Sequence, residues 1–154
     1  MIKNLSKIPQ YWLNLEDCRN ILLNFNDLLT QEEPIPPFES RFKGKLEGIL
    51  GSVKQTYSGE FLNGTVLDAA ASYFNQLIRG HAFENGNKRC AVIFTHWFLL
   101  MNDVTFTLSP KEMYNFAVEV AIAGERQIKP DVTKNWSREI IRKFTKDWDL
   151  KKKS

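Results

Sequence analysis

The stretch that decides the fold is residues 81–101, which read HAFENGNKR followed by CAVIFTHWFLLM. The second part is apolar at nearly every position, so as a helix it has no polar side and must be surrounded by protein. Its length of about 12 to 15 residues is too short to cross a bilayer. We therefore expect residues 90–101 to form the central, buried helix of a globular domain.

Further helices are predicted on both sides from the spacing of apolar residues and from capping residues. They cover about 13–29, 43–50, 65–80 and 110–123, and a last helix frays into the lysine tail. The expected N-caps are Asn14, Thr65 and Ser109, and the expected stops are Gly80 and Gly124. Asp131 or Thr133 is expected to cap the last helix.

Extended structure is predicted in two places. Residues 52–62 fit irregular structure or a small hairpin with its turn near Ser58-Gly59, and Val104–Leu108 alternates like a short strand. A chain of 154 residues has the length of one domain. The predicted fold class is therefore all-α, a helical bundle around a central buried helix with a small β-hairpin.

Composition and charge exclude several classes of protein. With 43% hydrophobic and 25% charged residues, the chain is neither disordered nor fibrous. Its net charge of +3 comes from a basic C-terminal helix and tail, 131–154, which we interpret as a solvated surface rather than a nucleic-acid site. No membrane partner is expected, and without a span or secretory signal the expected location is the cytoplasm. Cys18 and Cys90 are expected to be reduced thiols.

The loop before the buried helix concentrates polar and charged groups. Backbone N–H groups at a helix N-terminus lack intrahelical partners and attract an anion. Gly86 permits an unusual backbone turn, Asn87 offers an amide, and Lys88 and Arg89 add two charges for phosphate oxygens. His81 is placed to take a proton from an attacking hydroxyl. The alternative is an ordinary helix connection with a satisfied histidine and a capping asparagine.

These nine residues resemble the signature loop of the Fic/Doc family, H-P-F-x-[D/E]-G-N-[G/K]-R. The form with lysine before the arginine is similar to the death-on-curing (Doc) branch. The resemblance covers about 60 residues in register, from Gly44 to Asn102, which makes it specific. It implies a single Fic-fold domain over 1–154 with its core at about 40–125.

The resemblance also implies an activity and its residues. His81 matches the general base that deprotonates the target hydroxyl, and the residues that match ATP phosphate ligands are Gly86, Asn87, Lys88 and Arg89. Most of the family has glycine before the arginine and transfers AMP, whereas the Doc branch has lysine and transfers the terminal phosphate. Lys88 therefore favours a protein Ser/Thr kinase that uses ATP and Mg²⁺, with AMP transfer as the alternative.

Two positions depart from the family pattern. Asn85 stands where the family has its acidic Mg²⁺ ligand, and an amide oxygen binds the metal weakly or through water because it brings no charge. Ala82 replaces the proline and loosens the turn. A third reading is accordingly a catalytically degenerate Fic-fold module that senses a nucleotide or binds a partner.

The resemblance implies protein partners as well. Residues 53–62 match the β-hairpin flap that aligns the target segment, with Tyr57 as the candidate flap residue. The target is a protein, and a component of translation is one candidate. The chain lacks the family's inhibitory pattern [S/T]-x-x-x-E-[G/N], so a toxin of this type would be restrained by a cognate antitoxin. His96 and Cys90 are interpreted as core residues.

Overall fold

The computed structural model describes residues 3–24 and 36–149, and the predicted helical segment beyond Asn24 lies outside them. The described chain forms the α-helices α1 (Leu15–Asn24), α2 (Lys45–Val53), α3 (Val66–Arg79), α4 (Asn87–Met101), α5 (Pro110–Glu125) and α6 (Pro130–Lys143). Its strands are β1 (Thr56–Tyr57), β2 (Glu60–Phe61), β3 (Val104–Phe106) and β4 (Thr145–Asp147). The all-α fold class is confirmed. Within the described ranges no helix combines the length and apolarity that crossing a membrane requires.

Three helices begin at the predicted caps. The side-chain oxygen of Asn14 accepts a backbone N–H from the first turn of α1 at 2.8 Å. Thr65 does the same for α3 at 3.1 Å. At α5, Ser109 and Glu112 form a reciprocal capping box, each side chain accepting the other residue's backbone N–H at 3.2 and 3.1 Å. Because each of these side chains satisfies an orphan donor within three residues, the caps are readable from sequence.

Two predicted helix ends are wrong. α5 runs through Gly124 and ends one residue later, so this glycine is part of the helix and not its stop. α6 begins with Pro130, and Asp131 and Thr133 follow it inside the helix instead of capping it. Proline at the first position has no N–H to satisfy and a φ already suited to a helix, so α6 starts without a side-chain cap.

The helices pack around α3. It contacts α2, α4, α5 and α6, and eleven of its fourteen residues are buried. α4 is enclosed as predicted, since all of its residues are buried or partly buried. α3 is more enclosed still because the small side chains of Ala69–Ala71, all at 0% exposure, let neighbouring helices approach closely. Because alanine is only weakly hydrophobic, the sequence does not show that α3 is more enclosed than α4.

Two small antiparallel sheets complete the described fold. β1 and β2 form the predicted hairpin, and Ser58 and Gly59 in its turn both have positive φ, which suits the twist of a two-residue hairpin. β4 pairs with β3, with Phe106 opposite Thr145. The predicted hairpin is therefore confirmed. The prediction that the last helix frays into the lysine tail is wrong, because α6 ends at Lys143 and β4 follows it. The sequence did not predict β4, because a strand of three residues is too short to show an alternation of apolar and polar side chains.

Candidate active site

The loop between α3 and α4 is pinned to the core by its own side chains. Phe83 is 1% exposed, so its ring anchors the loop in the core. The Asn87 side chain accepts the Phe83 N–H at 2.9 Å and donates to the Phe83 carbonyl oxygen at 2.8 Å. From outside the loop, the Phe42 N–H donates to the Ala82 carbonyl oxygen at 2.8 Å. The buried ring and these hydrogen bonds therefore hold the loop backbone in one conformation.

The backbone at both ends of the loop has left-handed conformation. Gly86 is the N-cap of α4 with φ of 79°, so the first N–H groups of α4 emerge directly after it. His81 has φ of 48°, which a side chain with a Cβ rarely adopts. Strain of this kind persists only where the surrounding structure enforces it, and it concentrates at functional sites. Gly80, the predicted stop, is the C-cap that precedes it.

A cavity of about 320 Å³ opens over this loop. Its walls come from α3, the loop, the start of α4 and α5, and its lining residues are Ile78, Arg79, His81, Glu84, Asn85, Gly86, Asn87, Lys88, Ala121, Gly124 and Glu125. The structure therefore brings the candidate base, the candidate metal ligand and three of the four candidate phosphate ligands to one cavity. Its volume lies within the range of small-molecule sites.

Two of the predicted site residues lie elsewhere. Arg89 is 5% exposed, is not part of the cavity lining, and places its guanidinium 5.0 Å from the centre of the Tyr114 ring. Tyr57 lies on the β1–β2 hairpin, is 75% exposed and is also outside the lining. The cavity itself is therefore built without either side chain.

The cavity also contains residues that the sequence pattern did not single out. Arg79, in the last turn of α3, donates from Nη1 to Thr133 Oγ1 of α6 at 2.9 Å. A Cβ on Gly124 would lie 3.2 Å from Arg79 Nε, so this glycine leaves room for the guanidinium beside α5. The sequence carried one weak signal, an arginine two residues before His81. Glu125 and Gly124 could be found only from the packing of α5 on α3.

The cavity wall carries both signs of charge. Arg79 and Lys88 are cationic, and Glu84 and Glu125 are carboxylates. In the described part of the chain, no three His, Cys, Asp or Glu side chains are grouped so that they could hold a metal ion. Mg²⁺ keeps several waters and is typically bound through one or two protein oxygens together with substrate phosphates. The residues present therefore fit a metal ion shared with a nucleotide, not a preformed protein cage.

His96 and Cys90 lie outside the cavity, as predicted for core residues. The His96 Nε2 is 3.1 Å from Thr105 Oγ1, and its ring lies 5.1 Å from that of Phe106. Burial disfavours the charged imidazolium and lowers the pKa of His96 to about 4. Cys90 is a free thiol at 2% exposure, and Cys18 is a free thiol at 0%. Burial raises the pKa of the Cys18 thiol, so it is unreactive.

Comparison with known proteins agrees with this geometry. The family model described as Fic/DOC family matches residues 13–99, which is 87 of the 154 residues and includes α1 to α3, the loop and most of α4. Neither a curated protein nor a solved structure matches the chain. With the family's signature loop set on the N-terminus of a buried helix and over half of the chain matched, the protein belongs to the Fic/DOC family.

Proposed function

We propose that the protein is a Doc-type protein kinase, which transfers the γ-phosphate of ATP to a Ser or Thr hydroxyl of another protein. The observation that carries this proposal is the position of Lys88. It lines the same cavity as His81 and is the second residue of α4, two positions after the N-cap Gly86. A lysine at this place in the loop is the feature that resembles the Doc branch, where the terminal phosphate is transferred.

The residues of the cavity divide the work of the reaction. The backbone N–H groups at the start of α4 and the Lys88 ammonium bind phosphate oxygens and offset their negative charge. Arg79 adds a second cation from α3. Because Asn87 holds the loop backbone through two hydrogen bonds, these donors keep their positions without reorganisation. Bound Mg²⁺, with Asn85 as a weak ligand, supplies further neutralisation of the phosphates.

His81 removes the proton in the transfer step. Its ring nitrogen accepts the proton of the target hydroxyl as that oxygen forms a bond to the γ-phosphorus. The bond between the γ-phosphorus and the oxygen bridging it to the β-phosphate breaks, and ADP leaves. The products are a phosphorylated protein, ADP and a protonated imidazole, which then releases its proton to solvent. The exposure of His81 leaves it accessible to a protein segment.

The β1–β2 hairpin supports a protein as the substrate. Both residues of β1 are exposed, and among the described residues β1 pairs with β2 alone. An extended peptide can add to such an edge by main-chain hydrogen bonds, which aligns it without reading its sequence. Tyr57 would then contact the target. We propose further that a component of translation is one candidate for this target protein. A cognate antitoxin would restrain the kinase.

Asn85 favours a second candidate function. Since the cavity presents an amide where the family has a carboxylate, metal-dependent turnover can be lost while nucleotide binding remains. The protein would then be a nucleotide-sensing or partner-binding module. Magnesium distinguishes the two candidates: a kinase binds ATP more tightly when the metal is present, whereas a partner-binding module ignores it.

Two labelling reactions on a bacterial lysate with Mg²⁺ test the proposal, one with ATP labelled at the γ-phosphate and one at the α-phosphate. A protein band labelled only from the γ position supports the kinase. A band labelled only from the α position means AMP transfer, and label from neither favours the binding module. His81→Ala should abolish transfer and keep nucleotide affinity. Lys88→Gly should weaken phosphate transfer, and an unchanged rate would show that Lys88 does not select the phosphate.

A further inference from the structure

One apolar face of the molecule lies beside the active site without being part of it. A groove of about 280 Å³ is lined by Glu119, Ile122, Ala123, Arg126, Ile128 and Trp136. Ile122 is 41% exposed and Trp136 is 44% exposed, and Val132, one turn before Trp136 on α6, is 40% exposed. We call this surface the α5–α6 face. Grouped exposed apolar side chains rimmed by charges are characteristic of protein interaction sites.

The charged residues on this face are complementary to the same residues of a second copy related by a two-fold axis. On α5, Glu119 lies one turn before Ile122, and the C-cap residue Arg126 lies one turn after it, so all three share one side of the helix. Neither charged side chain forms an ion pair within residues 3–24 and 36–149. If a second α5 packs antiparallel with a two-fold axis at Ile122, each Glu119 faces an Arg126 of the other copy.

We propose that the protein forms a two-fold symmetric dimer through the α5–α6 face, with Ile122 at the axis. A two-fold interface requires a self-complementary surface, which this arrangement of one acidic, one apolar and one basic residue supplies. Burial of Ile122, Val132 and Trp136 provides the favourable free energy. The two Glu119–Arg126 pairs add little affinity as exposed ion pairs, but they set the antiparallel orientation and disfavour the parallel one.

The proposed interface lies next to the active site because both use α5. Ala121, Gly124 and Glu125 line the active-site cavity from one side of this helix, and the dimer covers another side. Each active-site cavity therefore opens beside the interface, and the second copy narrows the directions from which a target protein can approach.

The molar mass in solution tests the dimer, measured by light scattering or sedimentation over a wide range of concentration. The wild type should approach twice 17.9 kDa as its concentration rises. Ile122→Glu should stay monomeric. Ile8→Glu is the matched control, since Ile8 is 66% exposed on another surface and its replacement should leave the dimer intact.

A charge exchange tests the predicted register. Glu119→Arg places two arginines against each other in a homodimer, and Arg126→Glu places two glutamates, so each variant alone should self-associate about tenfold or more weakly than the wild type. Mixing the two restores both opposite-charge pairs and should recover dimers. A wild type that remains monomeric at every concentration overturns the proposal. A dimer that survives Ile122→Glu, or a mixture no better associated than its components, overturns it as well.

Discussion

Gly80 lies directly before His81, and we predict that Gly80→Ala destabilises the protein. A Cβ at this position would lie 2.6 Å from the Gln76 carbonyl oxygen and 2.8 Å from Ile49 Cδ1. The Gln76 oxygen belongs to the backbone of α3 and already accepts the Gly80 N–H at 2.7 Å, so it cannot move away freely. Ile49 is 9% exposed and packed in the core. Relief of these contacts requires the end of α3 to shift.

The magnitude follows from two opposing effects. Overpacking of this kind costs about 1–3 kcal/mol. Alanine also restricts the unfolded chain, which offsets about 0.4–1 kcal/mol. With the middle of each range, the free energy of unfolding should fall by about 1.3 kcal/mol, and the melting temperature of a domain this size should fall by about 3–5 °C.

Urea denaturation and thermal melting measure this change, and Gly48→Ala is the matched control. Gly48 is exposed within α2, and a Cβ there has no atom within 4 Å. The control should raise the free energy of unfolding by about 0.5–1 kcal/mol, because alanine favours a helix interior over glycine. Two substitutions of identical chemistry thus have opposite signs. A Gly80→Ala protein as stable as the wild type would refute the close contacts at the end of α3.

Three further outcomes are expected. Asn87→Ala leaves the buried backbone groups of Phe83 unpaired and should lower the free energy of unfolding by about 1–3 kcal/mol in urea titrations. Arg79→Gln should weaken ATP binding about ten- to a hundredfold, measured by calorimetry. An unchanged affinity would mean that Arg79 does not bind ATP and only forms its hydrogen bond to Thr133. Burial holds the pKa of His96 at about 4, whereas the value in the unfolded chain is about 6.5. The contribution of His96 to the free energy of unfolding is therefore largest above pH 6.5. It falls as the pH is lowered toward 4, by at most about 1.4 kcal/mol per pH unit. In urea titrations at several pH values His96→Gln should lack this contribution, and an identical pH profile would contradict the assignment.

Much of the fold was predictable because its signals are local. The caps at Asn14, Thr65 and Ser109 bond to groups within three residues, and the turn at Ser58-Gly59 needs only its own backbone. The prediction at Gly124 was wrong because the role of this glycine depends on a residue that is distant in the chain. A glycine near the end of an apolar run is typical of a helix stop, but here it lies inside α5 and makes room for Arg79 of α3.

The sequence by itself determined the helical class, most helix starts, the signature loop and its place at the N-terminus of a buried helix. These features depend on residues that are close in the chain, where periodicity, capping and backbone preference act directly. Only the tertiary structure decided which residues share the candidate active-site cavity. Arg79 reaches Thr133 across 54 positions, and Glu125 joins the same wall from α5. Packing of α3 against α5 and α6 makes those contacts, and no local pattern encodes them.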